Sequence, residues 1–538
     1  MLTADCHPIT VVPGLHRLFR EYCSEDAAAR PFYSSLPLDA SWQQLPLARP
    51  AHWPELVRLL AGQNPSPSPA AASALEALRD GAGVVVTGQQ VALFGGPLFT
   101  PFKAATALAR ARQATAAGRP HAAIFWLATE DHDFAEINHA TFPARRELRK
   151  LIYSAAPPAP CPVGGIVLDE SVSPLIDQAR ELLGASEAMD ALAAAYQPGH
   201  TFAQAFAEFY RKVFAAQGLL VLDAGSRAFH RMGAPVLRAA IERADELHQA
   251  LLDRNRELEA AGYHAQVAVT EQSSVLFLID AQTGARHALK RIAPTPAETD
   301  GLWQAGKQSY STADLAGILA SEPERISPSA LLRPVFQDFL LSTSLFIGGP
   351  AEIAYLAQSA VLYERILGRQ TTPAPRFFGT LIEPSVAKLL DKHELTLEQV
   401  FTETPESLAQ RLAARSMPIE TKQKLAAAGN ALDTELTTLV EWMQSQDKGL
   451  GQSAETAEGK IRYQMNRLRT LAANFQLQKE STLTKHAESL CNALCPGGIP
   501  QERVHGAAYY LAKYGPELAE ILTTQAENAC PGHTAIRL

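Results

Sequence analysis

Two continuously apolar runs constrain this chain most, GVVVTGQQ (83–90) and AAIFWLAT (122–129). Apolar residues without polar alternation mark strands buried on both faces. Between them LFTPFKAATALARARQ (98–113) reads as a helix, with Thr100 as N-cap and Pro101 at the first helical position. Strand, loop, helix and strand make a βαβ unit, whose two strands lie parallel. Ligands of a parallel sheet bind beyond the carboxyl ends of its strands. The unusual residues of both runs stand at those ends.

The other segments attach to this unit. SAAPPAPCPVGG (154–165) excludes helix and marks a boundary. GLLVLDAG (218–225) reads as another buried strand, followed by a helical pattern to Gly262 through Leu237, Ile241, Ala244, Leu247, Leu251 and Leu258. SSVLFLID and ARHALKRI, joined by AQTG, read as a hairpin over 273–292. Beyond 385 proline becomes scarce. Leu432, Leu436, Leu439 and Met443 form one apolar seam; Ile461, Met465, Leu468, Ala472 and Phe475 form a second, with QDKGLGQS as the connection. The expectation is an α/β protein in five parts: 1–153, the first part of the core; 154–217, an insertion; 218–384, the second part of the core, with an inserted hairpin subdomain over 263–325; 385–495, an antiparallel coiled-coil arm; and 496–538, a return to the core. An apolar face left over on the arm predicts a homodimer.

Composition excludes several functions. With 47% apolar and 19% charged residues, 538 residues bury a large core without staples. The formal charge of −8 carries no basic stripe, so nucleic acid is not an expected partner. Six cysteines make no disulfide framework. Cys491 and Cys495 lack a second pair for zinc and read as small buried hydrophobes. No basic leader precedes an apolar stretch, and no run reaches the roughly 20 apolar residues that span a bilayer. Cytoplasmic residence is the default expectation.

Four segments carry candidate chemistry. In TGQQVALFGGPLFTPFK (87–103), Gly88, Gly95 and Gly96 permit close backbone approach, in neither a dinucleotide nor a P-loop spacing. Lys103 in the first helical turns suits an anion shared with the helix N-terminus, or else is a solvated flank lysine. Gln89 and Gln90 suit a polar substrate or simple loop bonding. In FWLATEDHDFAEINHATF (125–142), Glu130, Asp131, His132, Asp133, Glu136 and His139 crowd one strand end. So dense a charge needs a cation, a cationic substrate or water. General acid–base work, a substrate ammonium site, a metal held by His132, Glu136 and His139, and a solvated loop all stay open. In 329–367, Arg333 before a proline reads as an extended carboxylate or phosphate clamp, and Glu352 as a helix cap. PGGIPQERV (496–504) places Gln501, Glu502 and Arg503 in a first helical turn.

These motifs, TGQQ-x4-GGPL-x4-K, FW-x-A-x-EDHD-x2-EI-x-H, RP-x2-QD, GGPAEIAY and PGG-x2-QERV, resemble those of the BshC family of bacillithiol biosynthesis over nearly the whole chain. The resemblance implies a Rossmann-like parallel-sheet core similar to class I aminoacyl-tRNA synthetases, with connecting-peptide insertions and a dimerising coiled-coil arm. It implies a cysteine ligase that adds L-cysteine to glucosaminyl-malate after ATP- and Mg²⁺-dependent carboxylate activation. Gly88, Gly95, Gly96 and Lys103 then fall to the phosphates, and Asp131, His132 and Asp133 to catalysis. Gln89, Gln90, Trp126, Glu130, Arg333, Gln337, Glu352 and Tyr355 fall to the substrates, with no metal held by side chains. The chain has no clean HIGH or KMSKS motif. The rival readings are a metal-dependent hydrolase and a non-catalytic coiled-coil scaffold.

Overall fold

The structure is a computed structural model that describes residues 3–35, 40–44, 49–144, 147–292, 302–528 and 530–538. Its centre is a five-stranded, all-parallel sheet. The strands are β1 (Gly83–Gln89), β2 (His121–Leu127), β3 (Leu220–Asp223), β4 (Leu345–Gly348) and β5 (Thr372–Pro375). Their spatial order is 3-2-1-4-5, that of a Rossmann-like sheet. Successive residues of a strand point to opposite faces. Accordingly Val84 and Val86 enter one hydrophobic core and Val85 the other, while Ile124 and Trp126 alternate with Phe125 and Leu127. The unbroken apolar runs follow from this two-sided burial. Residues 293–301 of the expected 263–325 subdomain lie outside the described residues.

Helix α1 (Phe99–Ala116) crosses from β1 to β2. It begins earlier than the Thr100 cap predicts. Leu98 is the capping residue without a side-chain bond, and its backbone N–H donates to His505 O at 2.7 Å. A backbone partner from the C-terminal return thus replaces the hydroxyl cap. The helical pattern up to Gly262 forms two helices, Arg227–Glu242 and Ala244–Ala260, which part at Arg243 (φ −110°, ψ 25°). The predicted hairpin forms over Ser273–Ile279 and Arg286–Ile292, within a separate five-stranded sheet.

Two further helices matter for the site. These are α2 (Arg333–Leu341) and α3 (Pro350–Leu367). The arm consists of α4 (Ile419–Gln446) and α5 (Lys448–Lys479). The connection is shorter than QDKGLGQS: Asp447 alone separates the helices and caps α5 through Gly449 N and Leu450 N at 2.8 and 2.9 Å. The seam also differs. Leu436, Val440, Met465 and Ala473 are buried, whereas Leu439, Ile461, Leu468 and Phe475 are 40–58% exposed. Two helices bury only a narrow stripe, so half of the predicted seam forms a second, outward stripe. Cys491 and Cys495 are free and buried where the arm meets the body. Among the described residues no helix is long and apolar enough to cross a membrane.

One covalent link departs from the sequence reading. Strand Thr3–His7 pairs antiparallel with His533–Arg537, which pairs parallel with Phe378–Ile382. This sheet brings Cys6 to Cys530, and the two are disulfide-bonded across 524 positions. Spacing cannot reveal such a pair, because the chain ends meet only in the finished fold. Alkylation of the unfolded, unreduced protein is expected to tag the four free cysteines, Cys23, Cys161, Cys491 and Cys495. All six should react after reduction; six tags without reductant would exclude the bridge.

Candidate active site

Crossovers leave β1 and β4 in opposite directions, and at their carboxyl ends the sheet opens a crevice. A cavity of about 280 Å³ occupies it. The end of β1 and the residue after it supply Gly88, Gln89 and Gln90; β2 and the segment that follows it supply Trp126, Asp131 and Glu136. Helices α1, α2 and α3 add Lys103, then Arg333 and Gln337, then Glu352 and Tyr355. Arg376, just beyond β5, and Arg503, from the C-terminal return, complete the charged wall. Motifs distant in sequence therefore meet in one place.

Most charges around the cavity are already matched. Lys103, 4% exposed, is ion-paired with Glu352 and donates to Gly88 O at 2.8 Å and Gln89 Oε1 at 2.9 Å. Burial pulls its pKa down, Glu352 opposes that shift, and Arg376 and Arg503 add to it. Its three donors thus have protein acceptors. Glu352 also accepts from Gly349 N at 2.8 Å, so it caps α3 while holding Lys103.

Asp131 is gripped by Arg333, with Nη2 to Oδ1 at 2.9 Å, and accepts from Gln90 Nε2 at 3.2 Å. Burial alone would raise its pKa, but Arg333, then Arg286 and Gln90, override burial and hold it at about 2. It is a fixed anion rather than a proton acceptor at neutral pH. Arg333 is the first residue of α2, with Pro334 behind it, rather than extended. The carboxylate it clamps is the protein's own. Arg376 and Glu502, 2% exposed each, form a bidentate buried pair that ties the end of β5 to the QERV helix.

The remaining acidic residues disperse. Glu130 turns away from this cavity and pairs with buried His230 at 3.1 Å. It lines a second hollow beside Asp223 instead. Asp133 is exposed and caps the short helix Phe134–Ile137 through Glu136 N at 3.1 Å. His132 Nδ1 accepts from Arg286 Nη1 at 2.9 Å, and burial, reinforced by Arg286, lowers its pKa. His132 is therefore a neutral imidazole that stands behind the cavity wall. Glu136 does line the cavity, where its carboxylate accepts from Gln90 Nε2 at 2.9 Å. His139 begins the strand His139–Pro143, so His132, Glu136 and His139 share no helical face. Among the described residues no group of three His, Cys, Asp or Glu is placed to hold a metal ion.

The structure does not bring Gly95 and Gly96 to the cavity. Their backbone is left-handed (φ 81° and 72°). Gly95 donates its N–H to Tyr196 Oη at 2.9 Å, and Gly96 donates to Leu93 O at 3.1 Å. A Cβ on Gly95 would sit 2.6 Å from the Phe209 ring. These glycines serve packing, and their donors are spent. Gly88 does face the cavity. Arg376 and Arg286 were missed at the sequence level because each stands alone in an unremarkable stretch.

Arg333 depends on Asp131 for its counter-charge, and the pair is partly buried. Asp131→Asn should destabilise the protein by about 3 kcal/mol at neutral pH, since it strands the guanidinium. A depressed carboxylate stabilises fully above its unfolded pKa and loses that contribution as pH falls through its folded value. The gap between wild type and variant should therefore close between roughly pH 4 and pH 2, as followed by unfolding midpoints. A gap independent of pH would remove Asp131 from this role.

Comparison with known proteins is consistent along the chain. Residues 5–375 match the family model described as bacillithiol biosynthesis BshC, N-terminal Rossmann-like domain. Residues 379–538 match the BshC C-terminal coiled-coil domain. A relative from Koribacter versatilis, named "Putative cysteine ligase BshC", is 39% identical over 99% of both chains. Relatives of the same name from Solibacter usitatus and Salinibacter ruber are 35% and 31% identical, over 89% and 94% of this chain and 88% and 93% of theirs. With both domains matched in order and relatives aligned end to end, the chain belongs to the BshC family.

Proposed function

We propose that this protein is a carbon–nitrogen ligase that joins the carboxyl group of L-cysteine to the amine of glucosaminyl-malate, forming bacillithiol in the cytoplasm. The observation that carries this reading is the single cavity at the strand-order reversal, where paired charges surround neutral polar groups. Both substrates are small, polar and charged, and both fit such a wall. Arg503 lines it without a carboxylate partner among the described residues, and so suits a substrate carboxylate. Glu136, held by an amide alone, suits the substrate amine and its proton. Asp131 holds Arg333 in position. Asp133 and His132 lie off the cavity, so the proton-accepting role passes to Glu136.

The cysteine carboxyl group needs a leaving group before an amine can displace it, and ATP with Mg²⁺ is the co-substrate proposed to supply one. Gly88 faces the cavity, but the other residues assigned to its phosphates do not fit that task. Gly95 and Gly96 are packed away and Lys103 is engaged by Glu352. No step is derived through the nucleotide. Incubating the protein with cysteine, glucosaminyl-malate, Mg²⁺ and ATP should yield bacillithiol by mass spectrometry, with matching AMP or ADP. Product without ATP would keep the substrates and discard nucleotide activation. A folded protein that forms no product and binds neither substrate would refute the ligase.

We also propose a homodimer through the arm. Trp442, Leu468, Leu471 and Phe475 are each at least 56% exposed on α4 and α5, an apolar stripe that a second copy would cover. Leu468→Glu with Leu471→Glu should convert a dimer to a monomer in sedimentation. A wild-type monomer at micromolar concentration would exclude the dimer.

A further inference from the structure

Three neutral polar groups of the cavity have no hydrogen-bond partner among the described residues. They are the indole N–H of Trp126, the carboxamide of Gln337 and the phenol of Tyr355. None makes a hydrogen bond among the described residues, although Trp126 and Gln337 are 2% and 3% exposed. A polar group so deeply buried is costly unless something bonds to it. Their polar atoms are not sealed within protein, so the open side they share is the cavity. The charges of Glu352, Arg333 and Asp131 all act on Tyr355. The three groups are the neutral strip of a cavity wall that also carries two ion pairs, Lys103 with Glu352 and Arg333 with Asp131.

We infer that this strip is the sugar subsite, where the hexosamine ring of the amine substrate binds by its hydroxyls. A carboxylate gains little from a strip without net charge. A ring with several hydroxyls needs what the strip presents: one indole donor, one amide that donates and accepts, and one phenol that does both. The half-buried ring of Tyr355 suits the C–H face of a pyranose, while Trp126, packed against Phe336, offers its indole N–H alone. The inference rests on the ligase reading and adds to it which part of the amine substrate the strip holds. It leaves the carboxylates to the arginine wall.

The test uses Gln337→Met and Tyr355→Phe in the full chain, which keep side-chain bulk and remove polar atoms. Titration calorimetry would measure the Kd of glucosaminyl-malate, free malate and cysteine. Each variant, with an unfolding midpoint close to wild type, should weaken glucosaminyl-malate roughly tenfold while malate and cysteine change less than about twofold. If wild type binds glucosaminyl-malate and both variants bind it equally well, the subsite is refuted and the ligase reading stands. Equal weakening of malate, or of cysteine, would also refute it, since the strip would then hold a charged end. If wild type binds no aminosugar glycoside at all, the reading and the subsite fall together.

Discussion

The reversal of strand order between β1 and β4 is the constraint on which the rest depends. Helix α1 packs against β1 and β2, and α3 against β4 and β5. Between β1 and β4 the crossovers diverge, and the carboxyl ends stay open. The loop after β1, the first turns of α1 and α3, and the end of β4 must all look into the gap. The chain supplies glycine at Gly88, Gly348 and Gly349, where backbone comes close to the opening. Two-sided burial fixes the strands rigidly enough that this opening has a defined shape.

A gap lined with charge would be unstable if those charges were unmatched. The protein resolves this by pairing most cations with a carboxylate from a different segment: Lys103 with Glu352, Arg333 with Asp131, and Arg376 with Glu502. Each pair also joins elements far apart in sequence. Breaking one leaves a buried charge, so the pairs hold the walls together more than they add net stability. The groups free for a ligand are then few, namely Arg503, Glu136 and the neutral strip. A wall of this kind is preorganised, because its charges are fixed before any substrate arrives.

Much of this was legible in the residues. The Val84–Val86 and Ala122–Leu127 runs mark buried parallel strands, and the hairpin at 273–292 stands where alternation places it. The density of polar residues after β1 and β2 points to the cavity. Individual roles were less legible. Glu130, Asp131, His132 and Asp133 are adjacent, yet they turn to His230, Arg333, Arg286 and a helix N-terminus respectively. For the first three, direction is set by partners that lie from about 100 to 200 residues away, which no local pattern encodes. Gly95 and Gly96 look like a phosphate loop because packing against Phe209 and binding a phosphate both demand glycine. The arm's seam misled for a related reason: a two-helix hairpin and a larger assembly use the same heptad spacing.

The meeting of Cys6 with Cys530 makes the polypeptide between them a covalent ring. Synthesis runs from the amino end, so the strand Thr3–His7 is made before its partner His533–Arg537, and the bond forms only after Cys530 has been added. Thereafter a single cut in the exposed arm would leave both pieces joined.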